Sequence, residues 1–331
     1  MLSDYQHISV LRDEVLEILS PQPNQNFVDC TLGGGGHSEE LLKRNGPKGK
    51  VLAFELDQRA IVASKTRLKD YQDRLIIVHK SYVHLKSEVK KHNLDKNISG
   101  ILLDLGLSSD QLDKTNRGFS FKDHGPLDMR FDPAGQTLTA SDIILTYSVS
   151  ALSKIFQEYG GEKMAKRLAR GIVSWREKHP STTLGVVKQK QNQAIKTSML
   201  VSVILQILKI SDSALKKFRI HPATKVFQAL RIAVNAELYN IQVVLPQAIE
   251  VLPKGGRLAL ISFHSLEDRI VKHYFRSLLG SCVCPPAAPI CSCGQKPQVK
   301  ILTKKGIRAS SQELRQNPRS RSAILRAIEK I

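Results

Sequence analysis

Short apolar runs separated by stretches of helical periodicity dominate the first hundred residues: Phe27–Thr31, Val51–Phe54, Leu75–Val78 and Ile101–Leu103, each followed by polar positions. Runs of this length, alternating with helix-period segments, predict parallel strands joined by crossover helices. After Asp104 the pattern breaks. A polar stretch with Gly and Pro, Ser108–Gly135, leads into helical segments near Ser141–Tyr147, Ser150–Tyr159, Glu162–Lys178, Ala194–Ile210 and Ala223–Val251. A strong strand signal returns at Arg257–Phe263, announced by the turn Pro253-Lys254-Gly255-Gly256. The simplest organisation is an α/β domain formed by residues 1–112 and 219–331, interrupted by an all-helical insertion at 113–218.

Parallel sheets of this kind bind ligands beyond the carboxyl ends of their strands, where the strand order reverses. The residues just past each run are therefore the candidates for chemistry: Asp29 with four glycines, Glu55 with Asp57, Ser81 with Tyr82, and Asp104. The segment Asp29-Cys30-Thr31-Leu32-Gly33-Gly34-Gly35-Gly36-His37-Ser38 has the form of a strand, a glycine turn and a helix start. Glycine allows close backbone approach, and the first N–H groups of the helix are free for polar ligand atoms. A dinucleotide fingerprint G-x-G-x-x-G would need a third glycine where Ser38 or Glu39 stands, and no G-K-[ST] follows to make a phosphate loop. A nucleoside cofactor without phosphates fits better, and S-adenosylmethionine is one. Glu55, about twenty positions past the turn, is placed to accept the two hydroxyls of a ribose. Asp57 competes with it or caps the next helix.

Charge changes the picture of the partner. Fifty Lys plus Arg against thirty Asp plus Glu leave a formal charge of +20 in 331 residues, which suits a polyanion. The Arg-rich end, Arg315 to Arg326, and the basic insertion are the candidates for gripping a nucleic-acid backbone. No basic-then-apolar leader opens the chain, and the longest apolar stretch, Met199–Ile210, is broken by Ser202, Gln206 and Lys209 and is too short to span a bilayer. The expectation is a soluble, cytoplasmic protein without a membrane partner. Cys282, Cys284, Cys291 and Cys293 cluster at a C-x-C spacing tighter than usual zinc sites, so reduced thiols compete with a structural zinc ion.

Further segments combine polar and aromatic groups: Arg117–Phe121, Gly125–Pro133, Lys217–Thr224 with Arg231 and Asn235, and Ser262–Ser265. Such loops suit an RNA-facing surface or lid, since rings and guanidinium planes stack on bases; internal packing explains the rings equally well. His264 is open to a structural or a catalytic role. Thr31–Ser38, Ile101–Asp113, Arg117–Phe121, Gly125–Asp132, His221–Asn235, Ile261–Ile270 and Asn317–Ser322 together closely resemble the bacterial MraW-type family of 16S ribosomal RNA cytosine-N4 methyltransferases, nearly end to end.

The resemblance implies a Rossmann-like class I S-adenosylmethionine-dependent methyltransferase fold with an inserted all-helical domain for substrate recognition. It implies methylation of the exocyclic N4 of one cytosine in the decoding region, a partner in 16S ribosomal RNA within the small subunit, no catalytic metal, and leaves a homodimer open. Carried over by position, the cofactor contacts are Gly35, Gly36, His37, Glu55, Tyr82, Asp104 and Gln111. Glu55 stands where the family has Asp, and Tyr82 where it has Phe. Asp104, or a carbonyl in Leu105–Ser109, is the candidate hydrogen-bond acceptor for the cytosine amine. The competing readings are an amino-methyltransferase for another nucleic acid, a nicotinamide oxidoreductase, and a non-catalytic ribosome assembly factor.

Overall fold

The computed structural model describes residues 9–94, 97–107, 116–121, 125–179, 195–280 and 296–331. The chain divides into two compact units: Met1–Ser108 with Leu238–Ile331, and Ser109–Glu237. The helix Thr224–Asn235 thus goes with the second unit, whereas the sequence pattern places the end of the insertion at 218.

The first unit holds strands β1 (Asn26–Asp29), β2 (Val51–Phe54), β3 (Leu75–Val78), β4 (Ile98–Asp104), β5 (Arg257–Ser262), β6 (Val299–Ile301) and β7 (Ile324–Lys330). They form one seven-stranded sheet in the order β3-β2-β1-β4-β5-β7-β6. β1 to β5 are parallel, while β7 runs antiparallel to both β5 and β6. This is the Rossmann-like class I methyltransferase arrangement. The chain order reverses between β1 and β4, which puts the binding crevice at their carboxyl ends.

Alternation along the strands feeds two cores, one on each face. Ile101, Leu103, Leu258, Leu260 and Ile328 pack with Ile241, Val244 and Leu245 of one helix and Val271 and Phe275 of another. Phe27, Leu102, Ala259, Ile261 and Leu325 pack on the other face against Val15, Leu16, Leu41 and Leu42. The latter come from helices α1 (Arg12–Leu19) and α2 (Gly36–Arg44). Helix α3 (Gln58–Arg67) follows β2 and α4 (Leu85–Lys91) follows β3.

The described residues of the second unit are mainly helical: Ala140–Thr146, Val149–Glu158, Ala165–Lys178, Thr197–Leu208, Asp212–Leu215 and Thr224–Asn235. Fully buried Ile143, Leu152, Phe156, Leu168, Ile172, Ile204 and Leu230 form its interior. The helix predicted over Ala223–Val251 is two helices, Thr224–Asn235 and Glu237–Val251, broken at Ala236 with φ of 50°. No helix among the described residues is long and apolar enough to cross a membrane.

Candidate cofactor and methyl-transfer site

The glycine turn is built on Asp29. β1 delivers this carboxylate buried, with Oδ1 accepting from the Thr31 N–H at 3.0 Å and Oδ2 accepting from the Ser38 hydroxyl at 2.7 Å. Burial pushes its pKa up, against the pull of those two hydrogen bonds. Asp29 therefore ties the two ends of the turn and is spent on structure. The Thr31 hydroxyl in turn accepts from the Asp104 N–H at 2.7 Å, clamping the exits of β1 and β4 together.

Gly33 and Gly35 adopt φ of 48° and 76°, the left-handed region that glycine occupies without penalty. A Cβ on Gly35 would lie 2.9 Å from the Leu68 Cδ1 methyl, and one on Gly36 would meet the Ser9 hydroxyl. Helix α2 begins at Gly36 with no side chain capping it. Its first-turn N–H groups are those a bound group would meet.

Glu55 turns toward the turn's backbone. Its Oε2 accepts from the Gly33 N–H, and Oε1 from the Leu56 and Asp57 N–H groups, all at 2.8 Å. Burial raises its pKa against these three donors. A carboxylate offers about four acceptor positions, so three are committed to holding the loop. Asp57 takes the other role open to it: its Oδ1 accepts from Arg59 N–H at 3.0 Å and caps α3. Tyr82 opens a short 3-10 turn, Tyr82–His84, and its ring packs at the edge of the sheet core.

Asp104 ends β4, and His37 lies in the first turn of α2. The His37 Nε2 and Asp104 Oδ2 atoms are 3.5 Å apart, with side-chain exposures of only 6% and 14%. Among the described residues, the buried His37 Nε2 and Asp104 Oδ1 atoms have no hydrogen-bond partner. Past Asp104, Gly106 at φ of 112° passes the Phe263 ring so closely that a Cβ would lie 3.2 Å from it. His264 caps the helix Ser265–Ser277, in a reciprocal box in which Glu267 Oε2 accepts from the Phe263 and His264 N–H groups. Its Nδ1 accepts from the Glu267 N–H in this cap, and its buried Nε2 lies 3.2 Å from Glu267 Oε1.

In the second unit the aromatic and charged loop residues are occupied with one another. Arg130 pairs with Asp128 through two contacts of 2.8 and 2.6 Å. Phe119 stacks on Phe131 and Phe121 on His221. The Asn235 amide accepts from the Phe131 N–H and donates to the Met129 carbonyl. The Arg-rich segment is partly internal too. Arg326 makes two contacts of 2.6 and 3.0 Å to Asp268, and Arg319 is half-buried, while Arg315 and Arg321 are exposed.

The structure brings Gly35, Gly36, His37, Glu55 and Asp104 around the ends of β1, β2 and β4, with Tyr82 beyond the end of β3. Gln111 and Cys282, Cys284, Cys291 and Cys293 lie outside the described residues. Two supports are not singled out for a role by the sequence. Thr31 joins the two strand ends, and Glu313 Oε1 accepts from the Leu11 N–H at 2.8 Å behind the turn. Thr31 acts on Asp104, 73 positions away, and Glu313 on Leu11, 302 positions away.

Comparison with known proteins matches residues 4–331 to the model of the MraW methylase family. The ribosomal RNA small subunit methyltransferase H of Syntrophotalea carbinolica is 43% identical over 327 residues, covering 99% of this chain and 98% of that protein. The protein of the same name from Clostridioides difficile is 43% identical over 331 residues, covering 99% and 100%. That of Geobacter sp. is 44% identical over 331 residues, covering 100% of both.

Proposed function

The chain belongs to the MraW methylase family, and from that premise we propose that it methylates the exocyclic N4 of one cytosine in the decoding region of 16S ribosomal RNA. It is an S-adenosylmethionine-dependent ribosomal RNA methyltransferase; the proposal concerns the base, the atom and the residues that act. The observation that carries the site assignment is the pair of buried polar atoms without partners among the described residues, His37 Nε2 and Asp104 Oδ1, beside an uncapped helix start. A buried polar atom left unmet costs about 1–3 kcal/mol, and a ligand with matching polar groups removes that cost.

S-adenosylmethionine supplies an electrophilic methyl group on a positively charged sulfur. The backbone of Gly35, Gly36 and His37 would hold it, with the remaining acceptor position of Glu55 for the ribose, the Tyr82 ring for adenine, and Asp104 and Gln111 completing the set. The cytosine amine is a weak nucleophile because its lone pair is delocalised into the ring. Asp104 Oδ1 accepts a hydrogen bond from that amine, and the proton lost on methylation leaves along it. The His37 ring lies against the same carboxylate, its Nε2 3.5 Å from Oδ2. Alignment of this kind contributes up to about 7–11 kcal/mol to such a step. The helical unit, and within it the exposed cations, would hold the RNA.

Labelled methyl transfer to small subunits lacking the modification, and to naked 16S RNA, tests the reading when the labelled nucleotide is mapped. Label at a single cytosine N4 is expected. Label on another atom or nucleotide overturns the assignment. Asp104→Asn should bind the cofactor yet turn over far more slowly; parental turnover at parental cofactor affinity would remove Asp104 from the mechanism.

A further inference from the structure

We propose that a single-stranded RNA segment is held on the helical unit by the turn at Lys216–Ile220, with Phe218 stacking on a base, and by the exposed cations of the helix Ala165–Lys178. The proposal rests on the RNA substrate of the preceding reading and adds where and in what form the strand is held.

The helix buries Ala165, Leu168, Ala169 and Ile172 in the unit's core and exposes Lys166, Arg167 and Arg170, with exposed Lys163 and Met164 just before it. The Arg167 guanidinium donates to the Ile207 carbonyl at 2.6 Å, which joins this helix to the end of Thr197–Leu208 and to exposed Lys209. The chain then reaches the five exposed residues Lys216-Lys217-Phe218-Arg219-Ile220. Phe218 is 48% exposed and Ile220 63%.

These residues are not a loose tail. On one side the Lys217 and Phe218 N–H groups donate to the Ala214 and Leu215 carbonyls. On the other, His221 stacks on Phe121 at 4.5 Å and 13°, and Ala223 is fully buried. The fold therefore holds an aromatic and an aliphatic side chain out in water, between cations. The ion pairs described in this unit, Arg130–Asp128 and Arg231–Glu237, involve none of these exposed cations.

A single exposed apolar residue needs no explanation. An aromatic ring and a branched aliphatic chain interleaved with three cations match the alternation of base and phosphate in an unpaired strand. A duplex would offer phosphates to the cations but hide the base faces from Phe218.

The test uses the full chain with a fluorescent single-stranded oligoribonucleotide and an RNA hairpin of equal length, titrated by anisotropy over a salt series. Phe218→Ala should weaken the single strand roughly tenfold, the stacking contribution to one base, and leave the hairpin within about twofold. Joint replacement of Lys216, Lys217 and Arg219 by Gln should reduce the slope of log affinity against log salt by about two. Cofactor affinity by calorimetry should be unchanged in every variant. Parental affinity for the single strand in both variants, or equal losses for strand and hairpin, overturns the proposal. So does a surface whose neutralisation costs binding to phosphatidylserine vesicles but not to RNA. Variants that methylate subunits and bind RNA like the parent would refute this surface alone. A parent that transfers no methyl to any RNA would instead refute the function.

Discussion

Gly35 and Gly33 share a turn but should not tolerate a methyl group equally. Both sit at positive φ, where an L-residue costs roughly 1–2 kcal/mol. At Gly33 nothing else opposes a Cβ, the nearest atom being the Thr31 carbonyl oxygen at 3.9 Å. At Gly35 the new Cβ would lie 2.9 Å from Leu68 Cδ1 and 3.3 Å from Ser64 Cβ. Leu68 is 1% exposed and Ser64 fully buried, so neither has room to retreat. Overpacking of this kind adds about 1–3 kcal/mol. Gly33→Ala should therefore cost roughly 1–2 kcal/mol, and Gly35→Ala roughly 2–5 kcal/mol. Leu68→Val removes the 2.9 Å contact but leaves Ser64, so Gly35→Ala made in that background should cost clearly less than in the parent. Urea dependence of amide exchange in α2 reads all the variants. Equal costs for the two glycines would refute the argument, as would a Gly35→Ala cost that ignores the residue at 68.

Asp29 gives a pH prediction. Its folded pKa is raised, so its contribution is fully present below the ordinary carboxylate range and is lost as pH rises through the raised value. Asp29→Asn, which has no proton to lose and can still bond Thr31 and Ser38, should gain stability relative to the parent as pH rises from about 4 toward neutrality; a difference independent of pH in urea unfolding would contradict this. Arg326→Ala leaves Asp268 half-buried without its two charge-assisted bonds and should lower stability by about 2 kcal/mol or more. Exposed Arg321→Ala should change it by less than about 0.5 kcal/mol, and thermal unfolding compares them. Asn235→Ala strips partners from the Phe131 N–H and the Met129 carbonyl, which should cost about 2–3 kcal/mol and speed amide exchange throughout Thr224–Asn235.

The parallel part of the sheet is legible because strands buried on both faces are written as unbroken apolar runs, as in Val51–Phe54 and Leu102–Leu103. β7 is not, since Arg326, Glu329 and Lys330 interrupt its apolar positions and are satisfied only by partners elsewhere in the fold: Asp268, Arg257 and the Ile249 carbonyl. The break at Ala236 has no Gly or Pro to announce it. Asn235 holds the preceding helix to the Met129–Phe131 loop, a tertiary cause invisible in a local window. At the site, the glycines and the strand-end carboxylates stand out in sequence. Which way a carboxylate turns does not: Asp29 and Glu55 both spend oxygens on backbone N–H groups, and the approach of His37 to Asp104 needs two strand ends side by side.

The bond from Leu11 N–H to Glu313 Oε1 joins residues 302 positions apart, and Ser9, on the same segment, abuts Gly36. Timing follows from this. As the chain leaves the ribosome, β1 to β4 emerge in sequence and can pair, and the helical unit, whose bonds include Phe131 to Asn235, emerges next. The backing of the glycine turn waits for Glu313, which emerges after β5 and β6. A nascent chain stalled before that point would carry most of the sheet and a glycine turn held by Asp29 and Glu55 but without the Leu11–Glu313 backing.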